Sequence, residues 1–304
     1  MGAVIGIDAG GTKTLALLAD ETGAVRARAR RGGANLHLQG EEVVEQTLRE
    51  VLAELAPEDG VAALCVGMAG VDRPEERDAV EGMLRRLGVS APVRVVNDAT
   101  IALLAGAPEG YGIVVISGTG SISYGVDPAG HTARSGGWGE LLGDEGSAVW
   151  IGRVALRKSV RGVDGRGPRT SLASKIARAL GLEMPAGLLS WVQDENTTFR
   201  ERIATLLPMI QEAVEEGDRV AFEVVDEAAE HLTRSARAVA NQLELPASFP
   251  VVLAGGAFRG CPSLVERFTA KLELPRARVA RLDDEPATGA VRLALALLKA
   301  GASK

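Results

Sequence analysis

The sequence predicts an α/β protein built from two domains related by duplication, with an active-site cleft between them. Three observations carry that prediction. Short apolar strands alternate with segments of helical period along much of the chain. A unit of strand, Gly/Thr turn, strand and Asp-x-x-Gly turn occurs twice, its turns at Asp20–Gly23 and Asp127–Gly130 offset by 107 residues. The length, 304 residues, suits two domains of roughly 150 residues each. The boundary is drawn at 107/108. This gives a domain over 1–107 and a second over 108–304 that carries a helical insertion, with a last helix, 286–300, expected to pack back on the first.

The elements follow in order. Val4–Asp8 reads as an apolar strand stopped by Ala9-Gly10-Gly11, Thr14–Ala19 as a second strand and Ala24–Arg30 as a third. The alternating arginines of Arg26–Arg31 read as a solvated strand face. Glu41–Leu55 places Val43, Val44, Thr47, Leu48, Val51, Leu52 and Leu55 at a helical period. Val61–Met68 is a buried strand, Pro74–Leu87 a helix opened by proline in its first turn, Val93–Val96 a strand and Asp98–Ala105 a short helix. The second domain opens with strands Ile113–Ser117 and Ser121–Val126. Residues 145–241 are largely helical, with breaks at 163–168 and 181–186. Strand Val251–Leu253, helix Pro262–Leu272, strand Arg278–Arg281 and helix Pro286–Lys299 close the chain.

Composition narrows the function. Hydrophobic residues are 46% and charged residues 24%, the balance of a globular protein, which argues against disorder, collagen and coiled coil. The formal charge is −6 and no block of basic residues stands out, so nucleic acid is not an expected partner. Two cysteines, Cys65 and Cys261, and three scattered histidines make neither a disulfide framework nor a zinc cluster. No signal peptide and no apolar run of about 18 residues is visible, so a cytoplasmic protein without a membrane span is expected.

Five loops carry chemistry. Asp8-Ala9-Gly10-Gly11-Thr12-Lys13-Thr14 misses the P-loop spacing by one residue, yet a Gly-Gly-Thr turn between strands can aim backbone N–H groups and a hydroxyl at a phosphate. The Asp8 carboxylate could hold Mg²⁺ through waters. An ordinary hairpin, with glycines for positive φ, is the alternative. Ser117-Gly118-Thr119-Gly120-Ser121 is a second loop of this kind, and it lacks the dinucleotide fingerprint. Two such loops could grip the β- and γ-phosphates of ATP from both sides. Asn97-Asp98 ends a strand, where ligands of α/β proteins bind, although Asp98 could instead cap its helix. In Ser135–Ala148, Trp138 flanked by glycines suits stacking on a sugar ring or a buried anchor. Asp144 there suits either sugar hydroxyls or a helix cap. Leu253-Ala254-Gly255-Gly256-Ala257 brings backbone close to something flat, such as adenosine, or makes a tight strand-to-helix turn.

In their chain order, Asp8–Thr14, Asn97-Asp98, Ser117–Ser121 and Leu253–Ala257 resemble the five-motif ATPase scaffold shared by sugar kinases, actin and Hsp70-type chaperones. The stretch from Gly136-Gly137-Trp138-Gly139 to Gly143-Asp144-Glu145-Gly146-Ser147-Ala148 resembles the N-acetylglucosamine kinase branch of the BadF/BadG/BcrA/BcrD-type ATPase family. The resemblance spans nearly the whole chain. It implies duplicated ribonuclease-H-like (actin-like ATPase) domains and ATP-dependent phosphorylation of an amino sugar, N-acetylglucosamine first, at its 6-hydroxyl. Asp98 would be the catalytic base. Gly10, Gly11, Thr12, Lys13, Gly118, Thr119 and Gly120 would bind the ATP phosphates, and Gly255 and Gly256 the adenosine. Asn35, Asn97, Asp98, Gly137, Trp138 and Asp144 would bind the sugar, and Asp8 the Mg²⁺. A homodimer is also implied.

Glucosamine, N-acetylmuramic acid and glucose are the alternative acceptors. The wider family also holds ATPases that activate radical dehydratases through an iron–sulfur cluster, which needs exposed cysteines. Cys65 lies in an apolar strand and is expected to be buried. A sugar-sensing protein without turnover is the third reading, but every presumed catalytic position is filled.

Overall fold

The computed structural model describes residues 2–57, 60–183, 186–193 and 199–302. Among the described residues, ten strands form two five-stranded sheets. In the first, β1 (Ala3–Ala9), β2 (Lys13–Ala19), β3 (Val25–Gly32), β4 (Val61–Met68) and β5 (Val93–Asn97) stand in the order β3-β2-β1-β4-β5. In the second, β6 (Gly112–Ser117), β7 (Ser121–Val126), β8 (Thr132–Gly136), β9 (Phe249–Ala254) and β10 (Ala277–Arg281) stand in the order β10-β9-β6-β7-β8. Both sheets therefore run third, second, first, fourth, fifth. In the first, β1–β2 and β2–β3 are antiparallel while β1–β4 and β4–β5 are parallel.

The repeated turn matches atom for atom. Asp20 N–H donates to Ala24 O at 3.0 Å and Gly23 N–H to Asp20 O at 2.9 Å; Asp127 N–H donates to His131 O at 3.0 Å and Gly130 N–H to Asp127 O at 2.9 Å. In each turn the aspartate Oδ1 also accepts the N–H four residues on, at 3.1 Å from Ala24 and 2.9 Å from His131. Glycine supplies the positive φ at Gly23 and Gly130.

The chain divides into two units, Met1–Gly112 with Leu282–Lys304, and Ile113–Arg281. The division falls five residues beyond the boundary read from the sequence, and the C-terminal helix is part of the first unit. Packing explains this. Side chains alternate across β1, so Ile5 and Ile7 pack with Val44, Leu48 and Val51 of helix Glu41–Leu55 and with Val80, Met83 and Leu84 of helix Pro74–Arg86. Val4, on the opposite face, joins Leu15, Leu17, Cys65 and Ile101 with Ala290, Val291 and Ala294 of the C-terminal helix. Two glycines let that helix approach. A Cβ on Gly6 would stand 2.8 Å from Ala287 O, and one on Gly289 would collide with Ile101 O. Without this helix, that face of the first sheet would keep only helix Asp98–Gly106 as cover.

In the second unit, helix Arg219–Ala240 lies against β7 and β8, and Ser235 Oγ donates to Ser135 O at 2.9 Å. Three elements escape the sequence reading: β8, helix Leu36–Gln39 and helix Gly256–Gly260. The predicted break after residue 180 begins at Gly181, a left-handed cap to helix Leu172–Leu180; residues 184 and 185 of it lie outside the described residues. Among the described residues, no helix is long and apolar enough to cross a membrane.

Candidate active site

In the first unit, Ala9, Met68 and Asn97 stand side by side at the ends of the parallel strands β1, β4 and β5. The loops that follow these strands all leave from that edge, where ligands of open α/β sheets bind. They carry Gly10–Thr12, Gly70–Arg73 and Asp98.

Asp98 is the first residue of helix Asp98–Gly106, but it does not cap it. Asn97 is the cap: its Oδ1 accepts from Ala99 N–H at 2.8 Å. The Asp98 carboxyl is therefore not needed to start the helix. Burial pushes it up to about 6, helped by the charge of Asp72, while the N–H groups of Ala99 and Asp98 pull it down. Asp8, on β1, is pushed up to about 7, first by burial and then by Asp98, with Lys13 opposing and Glu285 adding. Lys13 Nζ lies 3.6 Å from Glu285 Oε2.

The loop after β1 is bolted to the segment holding Asn35. Gly10 N–H donates to Lys13 O at 3.0 Å, Ala34 N–H to Gly10 O at 2.9 Å and Gln39 Nε2 to Gly11 O at 2.8 Å. Asn35 caps helix Leu36–Gln39, its Oδ1 accepting from His37 and Leu38 N–H at 3.0 and 3.1 Å. Its Nδ2 is the group left to offer a ligand.

Glycines in these loops are not there for turn geometry. None of Gly10, Gly11, Gly118 and Gly120 has positive φ, which removes the ordinary-hairpin explanation. A Cβ on Gly118 or Gly256 would meet nothing within 4 Å, so no packing inside the protein demands glycine there. A ligand lying against the backbone would.

In the second unit, Ser117 ends β6 and Gly255 follows β9, its parallel neighbour. Gly255 has φ +107°, and a Cβ on it would collide with Ser117 O and reach Gly118 N at 3.0 Å. The Gly118–Gly120 loop is closed by a Gly118 N–H to Gly120 O bond of 2.9 Å and held from behind by Ala148 N–H donating to Gly118 O at 2.8 Å. Thr119 is half-buried and Thr12, in the first loop, exposed.

Asp144 is built into the Gly118–Ser121 loop of the second unit. It is 7% exposed, sits at φ +60°, and accepts from Ser121 N–H at 3.1 Å. A Cβ on Gly120 would stand 2.9 Å from its carboxylate. It is not the cap of the next helix, because Ser147 Oγ accepts from Trp150 N–H at 3.1 Å. Its carboxyl is raised by burial, while Ser121 N–H and Arg200, 3.6 Å away, lower it. Asp144 thus braces the Gly118–Ser121 loop. Trp138 is no buried anchor: it is 64% exposed, with the Arg134 guanidinium 5.0 Å from its ring centroid. Gly137, at φ +73°, turns the chain there because a Cβ would stand 2.8 Å from Ile122.

The structure brings Asp8, Gly10, Gly11, Lys13, Asn35, Asn97 and Asp98 to one edge of the first sheet. It brings Gly118, Thr119, Gly120, Asp144, Gly255 and Gly256 to the ends of β6 and β9. Asp72, Gln39, Glu76 and Arg200 were missed by the sequence reading. Asp72 had a usable signal: like Asp98, it lies just past the end of a parallel strand.

The model of the BadF/BadG/BcrA/BcrD ATPase family matches residues 5–294. An N-acetylmuramic acid/N-acetylglucosamine kinase of Clostridium acetobutylicum is 36% identical over 299 residues, 96% of this chain and 97% of the relative. An N-acetyl-D-glucosamine kinase of Dictyostelium discoideum is 34% identical over 309 residues, again 96% and 97%. Among solved structures, a Chromobacterium violaceum protein provisionally assigned as an N-acetylglucosamine kinase matches with a TM-score of 0.71 at 27% identity, over 98% of this chain and 99% of that one.

Proposed function

The chain belongs to the BadF/BadG/BcrA/BcrD ATPase family and is an ATP-dependent carbohydrate kinase, and we propose that it phosphorylates the 6-hydroxyl of N-acetylglucosamine. One observation carries the chemistry: a carboxyl at the end of β5, relieved of capping by Asn97 and raised to about 6 by burial. At neutral pH it is ionised yet basic enough to take a proton, the balance a general base needs.

Asp98 accepts the proton of the sugar 6-hydroxyl as its oxygen attacks the γ-phosphorus. Phosphoryl transfer otherwise needs alignment and charge stabilisation. The backbone of Gly10–Gly11, Thr12 and Lys13 in the first unit, and Gly118–Thr119–Gly120 in the second, supply these to the ATP phosphates. Gly255 and Gly256 admit the adenosine. Asn35, Asn97, Gly137 and Trp138 orient the sugar. Asp144 acts through the Gly118–Ser121 phosphate loop that it braces.

The residues fit Mg²⁺. The carboxylates of Asp98 and Glu285 act on Asp8 with Lys13 opposing, and the Asp8 carboxyl is pushed up first by burial and then by the charge of Asp98. Asp8 would hold the ion through waters, and bound Mg²⁺ would neutralise phosphate charge. Among the described residues no three His, Cys, Asp or Glu side chains group as a metal site.

N-acetylmuramic acid is the second acceptor to consider, because the Clostridium relative bears its name. The iron–sulfur activator reading loses support from the cysteines: both are buried, and burial raises the Cys65 thiol to about 12 and the Cys261 thiol to about 11. The reading extends, on family grounds, to a cytoplasmic homodimer. The test is ADP release from Mg-ATP with N-acetylglucosamine, N-acetylmuramic acid, glucosamine, glucose or no sugar. N-acetylglucosamine should stimulate most; a sugar-free rate equal to all others would refute the assignment.

A further inference from the structure

The loop between β4 and helix Pro74–Arg86 touches both asparagines of the first unit. A Cβ on Gly70 would stand 3.1 Å from Asn35 Oδ1, and φ there is +82°. Asp72 Oδ1 accepts from Asn97 Nδ2 at 2.6 Å. The same loop is clamped from below, because Glu76 Oε2 accepts the N–H groups of both Asp72 and Arg73 at 2.7 Å. Glu76 Oε1 meanwhile meets His37 Nε2 at 3.0 Å.

This arrangement fixes more than the loop. An asparagine amide can present its oxygen or its nitrogen to a given partner. At Asn97 the oxygen caps the helix at Ala99 N–H and the nitrogen faces a carboxylate, so the amide has one orientation only. A charge-assisted bond of this length holds it more firmly than a neutral one. Asn97 is the cap of the helix whose first residue is Asp98, so a restraint on its side chain restrains the backbone that carries the base.

We propose that Asp72 is a positioning residue: through Asn97 it fixes Asp98. The proposal rests on the kinase reading above. Its chemical content is alignment, since Asp72 contributes to rate by holding other groups. A displacement of about 1 Å in a reacting group can lower turnover on the order of 100-fold.

The test is steady-state kinetics of wild type, Asp72→Ala and Asp72→Asn with N-acetylglucosamine and Mg-ATP. Asp72→Ala should lower kcat about 100-fold while leaving the nucleotide KM within about twofold, because Asp72 acts through Asn97. Asp72→Asn keeps an oxygen for Asn97 Nδ2 and should recover about tenfold of that loss. Melting temperature and nucleotide KM show whether each variant is folded. If Asp72→Ala is unstable, the asparagine variant decides: kcat below wild type at an unchanged nucleotide KM supports the role. Equal kcat in wild type and a folded variant overturns the proposal and leaves the kinase reading intact. A wild type that no sugar stimulates overturns both.

Discussion

Ser121 N–H donates to Asp144 Oδ1 at 3.1 Å, and that carboxylate fills the space a side chain at position 120 would need. A residue with the sequence context of a sugar ligand is thus built into the support of a loop read as phosphate-binding. Asp144→Ala would strand the buried Ser121 N–H and place alanine at φ +60°. The expected cost is about 1–3 kcal/mol of stability and a raised nucleotide KM. Thermal melts and ATP titrations check this; a change confined to the sugar KM would return Asp144 to the sugar alone.

Asp98→Asn should lower kcat by about 10²–10⁴-fold with nucleotide affinity nearly unchanged. The wild-type pH profile carries the same information. A base must be ionised to work, so kcat/KM should fall as pH drops through about 6, the value to which burial raises this carboxyl. A profile flat from pH 8 to 5 would argue against Asp98 as the base.

Asp8 makes a prediction about stability in the absence of divalent cations. Its folded pKa, about 7, exceeds the ordinary 3.8, so the fold prefers the neutral form. The resulting stability is fully present below about pH 4 and is lost as pH rises through 7. Asp8→Asn removes that loss. The variant should melt above wild type at pH 8, by on the order of 1 kcal/mol or about 2–4 °C after allowing for solvent screening, with the gap closing towards pH 4. Calorimetry at the two pH values decides it.

Gly255→Ala should be among the most damaging single-methyl changes in the second unit. It combines φ +107° with a collision against Ser117 O. The expected loss is about 1–3 kcal/mol together with weakened nucleotide binding. Gly256→Ala, one residue on, meets open space in the protein and should leave stability nearly unchanged. A nucleotide KM also unaffected in Gly256→Ala would contradict a ligand at that backbone.

Much of this was legible before any coordinates. β1, β2, β4 and β6 show in the sequence because buried strands are dense in β-branched and other apolar residues. The repeated Asp-x-x-Gly turn shows because its hydrogen bonds require those residue types. β8 does not show: Thr132-Ala133-Arg134-Ser135-Gly136 is half-exposed and lacks an apolar run. The place of the C-terminal helix in the first unit is carried by Gly6, which faces Ala287 O, and Gly289, which faces Ile101 O, partners far away in the sequence. Local patterns do not report that. Asn97 and Asp98 illustrate the limit at the site. Adjacent Asn-Asp at a helix start leaves the cap ambiguous, and only the bond to Ala99 N–H assigns it to Asn97.

The central claim is transfer of a phosphoryl group to the sugar 6-hydroxyl. Phosphorus–proton correlation NMR of the product formed from N-acetylglucosamine and Mg-ATP tests it most directly. The account predicts one phosphomonoester whose phosphorus couples to both protons on C6. Coupling to the anomeric proton, or ADP and inorganic phosphate with no sugar phosphate, would contradict it.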